Sequence, residues 1–131
     1  DYQSILVCGT IEPGEGDMTY YAKERGIEPI VIPELGRSLS PIRDIKTLWK
    51  VYQLIKKEKP DVVLSTGAAP GYLAIWLGRR LGAKTLWLDS IANVERLSLS
   101  GQRVGSIADM WLTQWEHLET PQGPHFKGSV L

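Results

Sequence analysis

The sequence predicts an α/β fold: a Rossmann-like, doubly wound parallel sheet of about six strands in a single domain spanning 1–131. Three observations point there. Short, wholly apolar runs such as Ser4-Ile-Leu-Val-Cys8 lack inward–outward alternation, as strands buried on both faces do. Longer segments with helical periodicity separate these runs, and strand–helix alternation builds parallel sheets covered by helices. The 131 residues suffice for one core, burying roughly two-thirds of the unfolded chain's surface.

The elements follow in order. Ser4–Cys8 is the first strand, stopped at Gly9. Residues 17–25 form a short helix, with Asp17 as N-cap and Gly26 just past its end. Ile30-Val-Ile32 is the second strand, ended by Pro33. Ser40-Pro41 places a capping hydroxyl before proline at the first helical position. Ile42, Ile45, Leu48, Trp49, Tyr52 and Ile55 then recur at three- and four-residue steps, one apolar stripe of a helix. Arg43, Lys46, Lys50, Lys56 and Lys57 occupy the rest of its circumference as a solvated basic face, and Pro60 ends it. Asp61–Ser65 is the third strand, followed by a helix from about Gly71 to Leu81 that Gly82 closes. Lys84–Leu88 and Met110–Thr113 are the fourth and fifth strands; residues 91–107 mix helical spacing with Ser98, Ser100 and Gly101. Ser129–Leu131 is a candidate sixth strand.

Composition narrows the function. Fifteen basic residues balance fifteen acidic ones, so no counterion-releasing surface for nucleic acid is expected. The single cysteine, Cys8, excludes a disulfide framework and is expected to be a reduced, buried thiol. No apolar run approaches the roughly 20 residues of a transmembrane helix, and no signal peptide is visible. A soluble intracellular domain is expected.

In such sheets ligands bind beyond the carboxyl ends of the strands. Gly9-Thr10, Gly36-Arg37, Thr66-Gly67, Asp89-Ser90 and Gln114-Trp115 therefore carry the candidate chemistry. The first loop, Gly9–Gly16, lacks both the dinucleotide and the Walker spacing, and Glu12 and Glu15 would repel a pyrophosphate. Thr66-Gly67-Ala68 offers small side chains and helix-start N–H groups, suited either to a ligand's approach or to close strand–helix packing. Asp89–Arg96 is the most polar loop. Asp89 is a weak candidate general base, and Ser90, Asn93, Glu95 and Arg96 suit sugar hydroxyls or phosphate. Alternatively Asp89 or Ser90 caps a helix and Glu95 and Arg96 are simply solvated. Trp115 suits a sugar face or an interface. His117 and His125 lack partners at zinc-ligand spacing, there is no nucleophile elbow, and neither metal nor cofactor is expected.

Residues 65–71 (Ser-Thr-Gly-Ala-Ala-Pro-Gly), 89–101 (Asp-Ser-Ile-Ala-Asn-Val-Glu-Arg-Leu-Ser-Leu-Ser-Gly), 109–115 (Asp-Met-Trp-Leu-Thr-Gln-Trp) and 123–131 carry a resemblance. They resemble the acceptor-side halves of bacterial N-acetylglucosaminyltransferases that build lipopolysaccharide and exopolysaccharide. They are also similar to the membrane-associated subunit of the eukaryotic two-subunit enzyme acting on the dolichol-linked precursor. Residues 9–18, 31–37, 40–44 and 59–61 instead resemble the amino-terminal domain of family 4 glycosyltransferases, which places a possible join of natural or engineered origin near 60–61.

The resemblance implies half of a two-domain transferase. UDP-N-acetylglucosamine would be the donor and a lipid-linked sugar the acceptor, with a separate donor-binding subunit as partner. Gly9, Thr10, Thr66, Gly67, Ala68, Asp89, Ser90, Asn93, Glu95, Arg96, Gln114 and Trp115 would line the acceptor side. The first loop lacks the histidine of the acceptor-side family, which removes a candidate catalytic group, and as half of an active site the chain is expected to be inactive alone. A cytoplasmic location, peripheral at the inner face of the membrane, is implied. The competing expectation is a catalytically inactive Rossmann-like scaffold, designed or recombined.

Overall fold

A computed structural model describes residues 3–9, 19–33, 35 and 41–129. The architecture is α/β with parallel strands throughout, and the chain divides into two compact units, 1–50 and 51–131.

In the first unit β1 (Val7–Cys8) pairs in parallel with β2 (Ile30–Val31), and α1 (Thr19–Glu24) connects them. The pairing is extended by Ile30 N–H donating to Leu6 O and Ile32 N–H to Cys8 O. These strands are less buried than their apolar composition predicts: Ile5, Leu6 and Val31 are exposed, and the free thiol of Cys8 is half-buried. The predicted caps Asp17 and Ser40 lie outside the described residues.

Helix α2 (Pro41–Glu58) starts at the predicted proline and ends where Lys59 takes a positive φ before Pro60. Its inward face differs from the predicted stripe. Thr47, Val51 and Ile55, spaced by four, are buried, whereas Ile42, Ile45 and Trp49 are 69%, 68% and 60% exposed. The helix carries apolar residues around much of its circumference, so a period of 3.6 alone does not choose the face that packs.

The second unit holds a four-stranded sheet, β3 (Val62–Ser65), β4 (Lys84–Leu88), β5 (Met110–Thr113) and β6 (His125–Phe126), in sequential order. Helices α3 (Ala68–Arg80) and α4 (Leu99–Val104) are its crossovers; α3 packs on β3 and β4, and α4 packs on α3. Ile75, Trp87 and Val104 are fully buried and form the core, with Val63, Tyr72, Ile107, Ala108 and Trp111 around them. Burying one aliphatic side chain this way contributes about 1.5–3 kcal/mol, and the larger Trp87 more. The other face of β3 carries Val62 and Leu64, both exposed, so this strand alternates instead of being buried on both sides.

Gly82, with φ 91°, ends α3 as predicted. Its N–H donates to Arg79 O while Ala83 N–H reaches Gly78 O, the paired bonds of a left-handed helix stop. The sixth strand lies at His125–Phe126, paired with Leu112 and Thr113, and Ser129 is outside it. Two residues, one of them histidine, give no apolar run to find, and Gly128 at φ 112° breaks extension before Ser129.

Candidate functional site

Because β3, β4 and β5 are parallel and adjacent, their carboxyl ends open on one edge of the second unit's sheet. The loops after them carry Thr66 and Gly67, residues 89–98, and residues 114–117. Gly9 belongs to the first unit, where it meets the Leu35 carbonyl closely enough that a Cβ would collide with it. Thr10, Gly36 and Arg37 lie outside the described residues.

After β3, the buried Ser65 accepts from Gly67 N–H at 3.4 Å, and Thr66 is exposed. Gly67 sits at φ 148°, which L side chains rarely adopt, as the residue before α3 begins at Ala68. The helix opens three residues ahead of its predicted start, so Ala68 is a helical residue and not part of a loop.

Asp89 is the best-defined group on this edge. It is 1% exposed, and its carboxylate accepts four hydrogen bonds. Oδ1 takes Trp87 Nε1–H at 3.0 Å and Ser98 Oγ–H at 2.8 Å. Oδ2 takes Asn93 Nδ2–H at 3.0 Å and Ser98 N–H at 3.1 Å. A carboxylate offers about four lone-pair sites, so the donor set saturates it. Asp89 therefore ties the end of β4 to both the middle and the far end of the loop.

The same arrangement starts α4. Ser98 is the helix cap, its Oγ accepting from Gly101 N–H at 2.9 Å while donating to Asp89. Neither Asp89 nor Ser90 caps the helix; Asp89 holds the residue that does. Gly101 is buried, and a Cβ there would run into Asp89 Oδ1, so only glycine fits at this helix position. Ser90 closes the loop's first turn: Ala92 N–H donates to its Oγ and Asn93 N–H to its carbonyl. Asn93 is committed to Asp89, whereas Glu95 and Arg96 are exposed at the edge.

The segment after β5 holds the loop from the other side. Gln114 Nε2–H donates to Asp89 O at 3.0 Å, and Trp115 Nε1–H to Ile91 O at 2.9 Å. His117 Nε2 lies 2.6 Å from Val94 O, and since a carbonyl only accepts, the ring presents Nε2–H. Of the predicted residues, Asp89, Ser90, Asn93 and Gln114 are joined by direct hydrogen bonds or a shared turn, and Trp115 by its bond to the same loop. Trp87, Ser98, Gly101 and His117 belong to the arrangement and were not among the predicted site residues. A serine just ahead of the residues that form α4, Ser98, was the sequence signal for the cap. Nothing in the sequence links His117 to Val94, 23 positions away.

Away from this edge, Asp109 accepts from Thr85 N–H at 2.8 Å and Thr85 Oγ1–H at 3.1 Å. These two bonds hold its carboxyl below the usual carboxylate range, with a smaller contribution from the charges of Lys84 and Arg79. A depression of about 310 Å³, lined in part by Ala108, Met110, Trp111, Gln122 and His125, lies at the amino end of β5. Among the described residues no group of three His, Cys, Asp or Glu is placed to hold a metal ion.

Residues 34–129 match the family model described as oligosaccharide biosynthesis protein Alg14 like. The chain belongs to the Alg14-like family. The match begins upstream of the 60–61 position and runs through all three polar loops of the second unit. Among relatives, the human UDP-N-acetylglucosamine transferase subunit ALG14 is 32% identical over 81 residues, covering 57% of this chain and 38% of that protein. The Schizosaccharomyces pombe subunit is 38% identical over 68 residues, 47% of this chain and 31% of that one. A Coxiella burnetii UDP-N-acetylglucosamine--N-acetylmuramyl-(pentapeptide) pyrophosphoryl-undecaprenol N-acetylglucosamine transferase is 26% identical over 98 residues, 60% of this chain and 27% of the relative. The Alg14-like chain thus spans well under half the length of these relatives. The crystal structure of Acinetobacter baumannii MurG shares its fold, with a TM-score of 0.58 at 16% identity over 86% of this chain and 33% of that one.

Proposed function

We propose that this chain forms the acceptor-binding half of an N-acetylglucosaminyltransferase, passing the sugar from UDP-N-acetylglucosamine to a lipid-linked acceptor together with a separate donor-binding polypeptide. The observation that carries the proposal is the saturated Asp89 clamp, which rigidly presents Glu95 and Arg96 at the carboxyl edge. Sheets of this type bind ligands at that edge. The names of the relatives supply the sugar donor, the word subunit and, for the Coxiella protein, a pyrophosphoryl-undecaprenol acceptor. The Arg96 guanidinium suits a diphosphate, because its planar fork makes paired bonds to phosphate oxygens. Asp89 serves as an architectural carboxylate in this reading: all its lone pairs face protein donors, and a base needs one directed at substrate.

The location follows from the same reading. No helix among the described residues is long and apolar enough to cross a membrane. The outer face of α2 sets the exposed Ile42, Ile45 and Trp49 beside the exposed Lys46 and Lys50. Apolar and aromatic groups interleaved with lysines suit an anionic lipid surface, so the protein works as a peripheral partner of the cytoplasmic membrane face.

The deciding experiment is transfer of labelled N-acetylglucosamine from the UDP-sugar to polyprenyl-diphosphate-linked sugar, with the chain co-expressed beside candidate donor-binding subunits. Turnover that requires both polypeptides and falls at least tenfold in Arg96→Ala is expected. Absence of turnover in every pairing, with no acceptor binding, leaves the inactive scaffold as the correct reading.

A further inference from the structure

The segment after β5 does more than follow the loop it touches. Gln114, Trp115 and His117 lie within four residues, and their side chains take the carbonyls of Asp89, Ile91 and Val94 in the same order. The side chains continue the β4–β5 pairing past the point where backbone bonds stop. Beyond Asp89 N–H donating to Leu112 O, the loop leaves strand geometry, and side chains take over its carbonyls. Asp89 restrains the loop from inside through Asn93 and Ser98, while these three restrain it from the β5 side. The Trp115 ring also packs near His117, with centroids 6.0 Å apart. Between the two sets of restraints Ala92 and the continuous stretch Val94, Glu95 and Arg96 are exposed.

We propose that Trp115 and His117 are positioning residues: a latch that sets the conformation of residues 91–96 and so determines how Glu95 and Arg96 meet the diphosphate-sugar portion of the acceptor. The acceptor half of this statement rests on the function proposed above; the latch itself does not. Trp115 acts in the latch through its indole N–H, which donates to Ile91 O. His117 acts through its Nε2–H, which donates to Val94 O.

The test combines amide hydrogen exchange with acceptor binding, on the full chain. Trp115→Phe keeps most of the ring and removes the donor; His117→Ala removes the donor; His117→Gln restores an amide donor. Exchange in peptides covering 91–97 is expected to rise about tenfold in Trp115→Phe and His117→Ala, the factor set by losing one hydrogen bond. Peptides covering β4 and β5 should be unchanged, and His117→Gln should approach wild type. Binding is read on vesicles carrying a polyprenyl-diphosphate-linked monosaccharide, against the same vesicles without it. The acceptor-dependent part should weaken three- to tenfold (about the same loss) in the two donor-less variants, with lipid-only binding unchanged. The proposal is overturned if exchange in 91–97 does not change, or if it rises equally in β4 and β5. It is overturned equally if the loop loosens and acceptor binding stays the same. Wild-type protein that binds both vesicle types alike refutes the proposed function, and the exchange comparison then decides the latch alone.

Discussion

Replacing Asp89 with alanine tests the central structural claim, because its cost follows from the four donors left behind. Trp87 is fully buried, so its indole N–H finds no water once Oδ1 is gone. An orphaned buried donor costs about 1–3 kcal/mol. Ser98 Oγ–H, Ser98 N–H and Asn93 Nδ2–H sit nearer the edge and recover part of their bonding from water. The α4 cap also loses the group that orients it, adding about 1 kcal/mol. The expected total is about 3–5 kcal/mol, from the orphaned donors together with the weakened cap. With a urea slope of about 2 kcal/mol/M, the midpoint of unfolding followed by tryptophan fluorescence should fall by about 2 M. Asp89→Asn keeps the volume but turns an amide N–H₂ toward other donors, and should lose about 2–3 kcal/mol. A loss under about 1 kcal/mol at unchanged slope in the alanine variant refutes the reasoning, since the carboxylate would not then be carrying the loop. A catalytic base gives the opposite pattern, with stability kept and turnover abolished.

Gly101→Ala should destabilise by about 1–3 kcal/mol, because the new methyl meets Asp89 Oδ1; a neutral effect in thermal unfolding would contradict the described approach. Asp109 titrates below its ordinary value of 3.8 in the folded protein, so its carboxylate stabilises the fold above that value and ceases to as pH falls through the lower folded one. The difference in urea midpoint between wild type and Asp109→Asn should accordingly be constant near neutrality and shrink below about pH 4; a difference that grows on acidification reverses the argument. Ile45→Glu on α2 should abolish sedimentation with anionic vesicles and leave the unfolding midpoint within about 0.5 kcal/mol, as expected for an exposed site.

Much of the second unit is legible in the sequence. Lys84–Leu88 and Met110–Thr113 are apolar runs of strand length bounded by breakers, and the structure starts and stops them at the predicted residues. Gly82 marks the end of α3 because few other residues accept the left-handed stop. Pro41 and Pro60 bracket α2 for the complementary reason, a fixed φ at the start and an interrupted helix at the end. The inward face of α2 was not legible: its apolar residues are distributed too widely for periodicity to rank Val51 above Trp49. β6 escaped as well, since two residues with one histidine carry no pattern.

The candidate site divides along the same line. Strand–helix alternation, with polar residues after each strand, was enough to place Thr66, Asp89 and Gln114 along one edge. That information is local, written in propensities and periods that act over a few residues. The role of Asp89 depends on Ser98, nine positions on, and the shape of its loop on Trp115 and His117, more than twenty positions on. A hydrogen bond depends on direction and on distances of a few tenths of an ångström, which only the packed sheet establishes. The sequence by itself determined that a polar loop would stand at the carboxyl edge; only the tertiary structure decided that its carboxylate faces inward, fully bonded, and that Glu95 and Arg96 are left facing out.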